Sequence, residues 1–423
     1  MGEKDSSGVI RLPCGLVVRQ DRLLWGIILF ALLVGLLAAT HRNCAKPSLF
    51  GDENTYHKLA LALVHHQPYF TTDKPPGYPA FVALVYAVVG PRPLALYFMQ
   101  AVVFVLTLLL IYKVALAVSE DVKTALLTIA LCALWIPFHI YVAKELSEIL
   151  NGLIIALALW CVMAAAARPT LGKCAVAGIT TGLSALVKPV ALPYIGLAAL
   201  LVFLMGENRR RRLIPAAVLV LVALATLAPW TARNYVVTGK IIPVTTTGGS
   251  ALVLGADPTV CDYGVAPRWW QEILAKPEAE RDRIFQEMGR SLVWEHPLRT
   301  AGLCVRKFGI FWFSLGWGAR AFPQLPHIGG YAITKQSVVR LPLFILAVIG
   351  LFTLPAPARR RAYPMLGVLL VWTVTFVALY VERRFSLPVE FYEFFLASVA
   401  LLHIHERLVK RQARPRLSGN DRQ

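Results

Sequence analysis

The chain has 423 residues, of which 57% are hydrophobic and only 16% charged, and it carries a formal net charge of +19. A soluble protein of this length covers its surface with charge; this one has too little, and apolar runs of spanning length recur along it, so lipid is the predicted solvent for most of the chain. The basic clusters Arg209-Arg210-Arg211-Arg212, Arg359-Arg360-Arg361 and the tail with Arg407, Lys410, Arg411, Arg414 and Arg416 each flank an apolar run. That is the signature of cytoplasmic loops, and without interleaved aromatics it does not make a nucleic-acid surface.

The first apolar run, 23–39, is long enough to span and reads as a retained first helix rather than a cleaved signal. Further runs at 94–118, 125–137, 149–166, 175–187, 190–205, 214–228, 341–354, 365–380 and 387–404 bring the predicted total to about ten spans. An even total puts both termini, and the basic loops after residues 166, 205 and 354, on one side. The runs 125–137 and 175–187 are short for a hydrocarbon core of roughly 30 Å and need their neighbours to complete a crossing.

Two long segments, 41–93 and 229–340, face the opposite, outward side. The predicted organisation is therefore a transmembrane module (1–228), an outward segment (229–340), and C-terminal helices with a basic tail (341–423). Within the outward segment, 298–317 is apolar but broken by Arg299, Arg306 and Lys307, and it carries Trp312 and Trp317, which predicts a helix lying at the interface. Seven cysteines are scattered without C-x-x-C spacing; Cys44, Cys261 and Cys304 fall outside, where two of the three could pair.

The first outward loop reads Leu49-Phe50-Gly51-Asp52-Glu53-Asn54-Thr55-Tyr56, followed later by Asp73-Lys74-Pro75-Pro76-Gly77-Tyr78-Pro79. A carboxylate here can act as general base toward an incoming hydroxyl, and a nearby lysine can neutralise a phosphate leaving group. Tyr56 and 59–63 have helical spacing, so the acid pair sits at the start of a short helix, where the dipole favours negative charge. Asp52 and Glu53 could equally do no more than cap that helix. His57, His65 and His66 lack a second ligand cluster at fixed spacing, so no metal is predicted.

This loop resembles the first extracytoplasmic loop of the GT-C glycosyltransferases, in particular the family 39 type that includes protein O-mannosyltransferases and lipid A aminoarabinose transferases. The matching elements are Asp52-Glu53, then Tyr56, then Lys74-Pro75-Pro76. Leu146-Ser147-Glu148 resembles the family's L-S-E element, with Glu145 as a competitor one turn away, and Lys188-Pro189 resembles its basic-Pro step. The most specific resemblance is Pro229-Trp230-Thr231-Ala232-Arg233-Asn234-Tyr235, then Gly239, Pro243-Val244-Thr245-Thr246-Thr247-Gly248-Gly249 and Gly255-Ala256-Asp257-Pro258. Arg384-Phe385 with Pro388 resembles a further element before the last span.

The resemblance implies an all-α polytopic GT-C fold with outward interfacial helices and a small periplasmic domain. It implies an inverting glycosyltransferase that moves a hexosyl or pentosyl group from a polyprenyl-phosphate carrier to a hydroxyl of an envelope lipid, glycan or protein. Asp52 is then the base and Glu53 or Glu148 positions the acceptor or sugar; Lys74, Arg233, Arg384 and Lys188 contact phosphate, and Tyr56 orients the carboxylate. No cofactor is expected, and the setting is the bacterial plasma membrane with an outward site and both termini cytoplasmic. A transporter or flippase for a glycolipid intermediate is the alternative; it would place charges inside the spans, which read here as nearly charge-free. A non-catalytic assembly partner would not need the acidic and basic residues to converge.

Overall fold

The computed structural model describes residues 9–11, 17–45, 49, 51–205, 208–257, 268–316, 327–328, 331–332 and 334–413. The fold is helical. The chain runs through α1 (Gln20–Ala45), α2 (Asp52–Val64), α3 (Gly77–Val89), α4 (Pro93–Ser119), α5 (Val122–Leu134), α6 (Ile136–Val142), α7 (Glu148–Ala167) and α8 (Leu171–Val187). A 3-10 turn (Pro189–Ala191) leads to α9 (Leu192–Leu204) and α10 (Arg209–Thr238). Helices α11 (Gly248–Ala256), α12 (Arg268–Leu274), α13 (Glu278–Glu295) and α14 (Pro297–Phe313) follow. The chain ends with α15 (Lys335–Thr353), α16 (Ala356–Ala378), a 3-10 turn (Arg383–Ser386) and α17 (Leu387–Ala413). Two short antiparallel pairs, Val9–Arg11 with Val17–Arg19 and His327–Ile328 with Tyr331–Ala332, are the strands among the described residues.

Among the described residues seven helices are long and apolar enough to cross a membrane, and eight if α5 and α6, bent by 60°, count as one broken span. At 1.5 Å per residue the 20 residues of α7 reach about 30 Å, the thickness of the hydrocarbon core. The bend between α5 and α6 falls at Trp135, two residues before Pro137, whose ring and missing N–H prevent continuation of the helix. Each predicted run falls in a helix: seven in the long ones, 125–137 in the bent pair, and 175–187 and 190–205 in α8 and α9, which are shorter than a span. The sequence reading missed α3. Its 13 residues lie in what reads as an outward loop, yet Tyr78, Val82, Ala83 and Tyr86 are buried.

Small residues set the close approaches. A Cβ at Gly178 would lie 2.5 Å from the Leu219 carbonyl oxygen, and one at Gly182 would lie 2.8 Å from Thr226 Cβ. This pair, four residues apart on one face of α8, lets its backbone meet α10, the usual device for close helix contact in lipid. Gly77 plays the same part for the first loop: a Cβ there would meet the Leu186 carbonyl at 2.8 Å, so the Lys74-Pro75-Pro76 segment can lie against the end of α8.

Helix α10 continues through Pro229 to Thr238 and stops at Gly239, which takes φ 68°. Two expectations are corrected. The last spans are not free of charge: Arg340, Glu390 and Glu393 are buried at 1%, 2% and 3% exposure, and Arg340 pairs with both glutamates. Lys307 does not break the apolar character of α14 at a lipid surface; it is buried and donates to the carbonyls of Gly255 (3.0 Å) and Leu379 (2.7 Å). Phe50, Pro258, Cys261, Trp317, Arg414 and Arg416 lie outside the described residues. Cys44 and Cys304 are free.

The segments 41–93 and 229–340 fasten to each other. Glu278 at the start of α13 accepts from Thr71 Oγ1 (2.5 Å), Thr72 N (2.5 Å) and Thr72 Oγ1 (2.6 Å), and Arg281 pairs with Asp73. Thr245 Oγ1 donates to the Asp73 carbonyl and Thr246 Oγ1 to its carboxylate, both at 2.6 Å.

Candidate active site

Four helix ends meet beneath that clasp. Gly51, at φ 53°, turns the chain into α2 and places Asp52 on its first turn. Neither acid caps the helix; each reaches out to cations. Asp52 Oδ1 accepts from Lys74 Nζ at 2.6 Å and Oδ2 from Arg384 Nη2 at 2.7 Å. Glu148, the first residue of α7, accepts from Lys188 Nζ at 3.1 Å and lies 3.7 Å from Arg384 Nε. Lys188 follows the last residue of α8 with extended backbone, and Arg384 sits in the 3-10 turn before α17. Lys74 Nζ lies 5.6 Å from the Tyr56 ring centre, and Lys188 Nζ lies 4.6 Å from that of Phe385.

These residues line a cavity of about 570 Å³. One wall holds Asp52, Tyr56, Lys74, Glu148, Lys188 and Arg384; Thr245, Thr247 and Ser250 add hydroxyls; Val190, Leu192, Leu254 and Phe376 supply apolar surface. Burial opposes ionisation of Asp52, but Lys74 and Arg384 outweigh it and hold the carboxyl well below the usual carboxylate range. Burial also opposes the charge of Lys74, and Tyr56 and Asp52 more than offset it, so the ammonium holds its proton above its ordinary range. Burial pushes the Tyr56 phenol up.

Six of the eight residues singled out in the sequence thus come together. Glu53 and Arg233 do not line the cavity. Glu53 faces the other way, accepting from Arg42 Nη2 at 2.8 and 2.9 Å and from the Glu145 backbone N–H at 3.1 Å. Arg233 donates to the carbonyls of Tyr69 and Thr71 and lies over the Trp230 ring, 4.9 Å from its centre. The rest of its motif is also fastened to backbone: Trp230 Nε1 donates to the Val244 carbonyl (2.8 Å) and buried Asn234 to that of Ile242 (3.1 Å). The ordered motif thereby ties α10 to the loop at 69–71 and to the stretch of chain at 242–244.

Two acids of the site carried no assigned role in the sequence. Asp73 and Glu382 line the cavity, and Glu382 accepts from Arg384 Nε at 2.8 Å. The signal was their adjacency to the two cations, at one and two residues' distance. Behind the site, Glu145 is fully buried against His57 Nδ1 and Tyr86 Oη, each 3.2 Å away. Burial raises its carboxyl, opposed by His57. Among the described residues no group of three His, Cys, Asp or Glu side chains is placed to hold a metal ion.

Residues 73–232 match the family model for dolichyl-phosphate-mannose-protein mannosyltransferase. The chain is similar to GT-C glycosyltransferases. The match agrees with the resemblance carried by the loop motifs and spans Lys74, Glu148 and Lys188. No curated protein matches the chain. Among solved structures, the chain is similar to ArnT from Cupriavidus metallidurans bound to undecaprenyl phosphate, at 16% identity and a TM-score of 0.42, covering 89% of this chain and 77% of that one.

Proposed function

We propose that this multi-pass membrane protein is a glycosyltransferase of GT-C type that moves a sugar from a polyprenyl-phosphate carrier to a hydroxyl acceptor at the outward face. The observation that carries this reading is the placement of Asp52 between Lys74 and Arg384 on the cavity wall, at 2.6 and 2.7 Å. The acceptor oxygen attacks the anomeric carbon, its proton passes to Asp52, and the bond from that carbon to the phosphate oxygen breaks with inversion. The electron pair leaves with the carrier phosphate, whose charge Lys74, Arg384 and Lys188 meet. At rest each of these cations is held by a carboxylate: Lys74 by Asp52, Lys188 by Glu148, and Arg384 by Asp52 and Glu382. An arriving phosphate competes for the same donors. As it draws Lys74 and Arg384 away, Asp52 loses the partners that depress its basicity and becomes a better base in the loaded site than in the empty one.

The apolar wall suits the first isoprene units, and the hydroxyls of Thr245, Thr247 and Ser250 suit a sugar. The acceptor, the sugar and the outward, plasma-membrane setting belong to this proposal. A transporter for a glycolipid is the second reading, favoured by the Arg340–Glu390–Glu393 cluster inside the last spans. Transfer of radiolabelled sugar from a panel of polyprenyl-phosphate sugars to membrane acceptors, by wild type and by Asp52→Asn, separates the two. Transfer lost in a folded Asp52→Asn protein supports the enzyme; equal transfer by both removes Asp52 as base; translocation of the carrier without transfer supports the transporter.

A further inference from the structure

A second cavity opens at the end of the helix bundle opposite the candidate active site. Helices α7 and α9 begin beside the first cavity and end at the second, and α16 runs the other way. The second cavity is about 360 Å³, with an apolar floor that includes Ala117, Trp160, Met163 and Ala164 and a rim formed by Met205, Arg360 and Arg361.

The rim has a simple electrostatic origin. Helices α4, α7 and α9 all end here, and the last carbonyls of a helix carry partial negative charge and lack intrahelical partners. Arginines answer them. Arg361 Nε donates to the Val118 carbonyl at 3.0 Å, and Arg212 Nη1 donates to the carbonyls of Ala166 (2.9 Å) and Val202 (3.1 Å). Arg361 also pairs with Glu120 at 3.0 Å. Arg360 differs. It is exposed, and its described bond is a long one, 3.3 Å, to the Met205 carbonyl. It therefore brings a guanidinium to the mouth of an apolar cavity with most of its donors turned to the surface.

We infer that this cavity binds an anionic phospholipid, with an acyl chain against Trp160, Met163 and Ala164 and the headgroup phosphate on Arg360. An apolar cavity at the lipid boundary suits a hydrocarbon chain, and the guanidinium at its rim suits a phosphodiester. The preference for a net anionic headgroup follows from the local balance. Arg209-Arg210-Arg211-Arg212 and Arg359-Arg360-Arg361 flank the site, and the carboxylate described against the rim arginines is Glu120, paired with Arg361. A zwitterionic lipid would bring its own ammonium group into that positive field. The inference does not depend on the catalytic proposal.

The test uses the full-length protein in vesicles of phosphatidylcholine containing increasing fractions of brominated-chain phosphatidylglycerol or brominated-chain phosphatidylcholine, with tryptophan fluorescence as readout. The difference between wild type and Trp160→Phe isolates the Trp160 signal. That signal is expected to be quenched at a roughly fivefold lower fraction of the glycerol lipid, the discrimination one arginine gives near an anionic headgroup. Arg360→Gln, which removes one long hydrogen bond, is expected to abolish the preference while leaving quenching by the choline lipid unchanged. Ala164→Leu, which fills the cavity, is expected to weaken quenching by both. Equal quenching by the two lipids in wild type, or an unchanged preference in Arg360→Gln, overturns the inference.

Discussion

Asp52 and Glu53 are adjacent, and replacing each by its amide should separate a chemical role from a structural one. Asp52→Asn removes the proposed proton acceptor, a group whose contribution as general base is about 10²–10⁴-fold in rate. Its structural cost is modest. Arg384 keeps Glu382 at 2.8 Å and Glu148 at 3.7 Å, and with 31% of the Asp52 side chain exposed, water screens the lysine that is left. The loss should be about 1–2 kcal/mol. Glu53→Gln reverses the pattern. It breaks a two-oxygen contact to Arg42, which keeps only 19% of its side chain exposed, and weakens the bond to the Glu145 N–H. Fully buried pairs cost about 3–5 kcal/mol when one partner is removed, and the remaining exposure brings this one to about 2–4 kcal/mol. The assay is sugar transfer at saturating donor, paired with thermal melts of the purified protein in one detergent. Asp52→Asn should melt near wild type and be inactive; Glu53→Gln should melt several degrees lower and, while folded, transfer within a few-fold of wild type. A folded, inactive Glu53→Gln beside an active Asp52→Asn would refute the assignment.

Asp52, whose folded carboxyl is held below its ordinary range, adds stability that is present above its unfolded pKa of about 3.9 and is lost as pH falls through the lower folded value; melts below about pH 4 should therefore show a wild-type decline that Asp52→Asn partly lacks. Arg340→Met leaves Glu390 and Glu393 buried without their cation, and thermal melts should show a loss of about 3–5 kcal/mol, part of it recovered by adding Glu393→Gln. Gly178→Val forces α8 away from the Leu219 carbonyl and should cost about 1–3 kcal/mol, whereas the same change at Gly196, with nothing within 4 Å, should cost little; detergent melts compare the two. Glu278→Gln weakens three bonds to Thr71 and Thr72, and amide hydrogen exchange over residues 69–74 should accelerate while that of α7 stays unchanged.

The membrane character and the chemistry of the site were written locally in this chain. A run of apolar residues declares a span because its solvent is lipid wherever it ends up, and each of the ten runs did form helix. Glu148, Lys188 and Arg384 stood out because each is a charge beside the end of an apolar run, where it must find water or a partner, and Asp52 and Lys74 stood out by their order with Tyr56 in the loop between the first two runs. Adjacency could not say which way a side chain faces. Asp52 and Glu53 are successive residues on one helical turn, roughly 100° apart, so one meets the cavity and the other meets Arg42. Arg233 read as a phosphate ligand because an arginine in a Thr- and Gly-rich neighbourhood has that chemistry; only the fold brought the carbonyls of Tyr69 and Thr71 within its reach first. Glu390, Glu393 and Arg340 looked unremarkable within apolar runs or at their edge, because a buried charge is recognised by its partner, and here the partner is 46 to 53 residues away for every bond Arg340 makes to the last turn and helix. Composition and spacing determine what each segment can dissolve in and what each side chain can do; which side chains meet is decided by packing between helices distant in sequence.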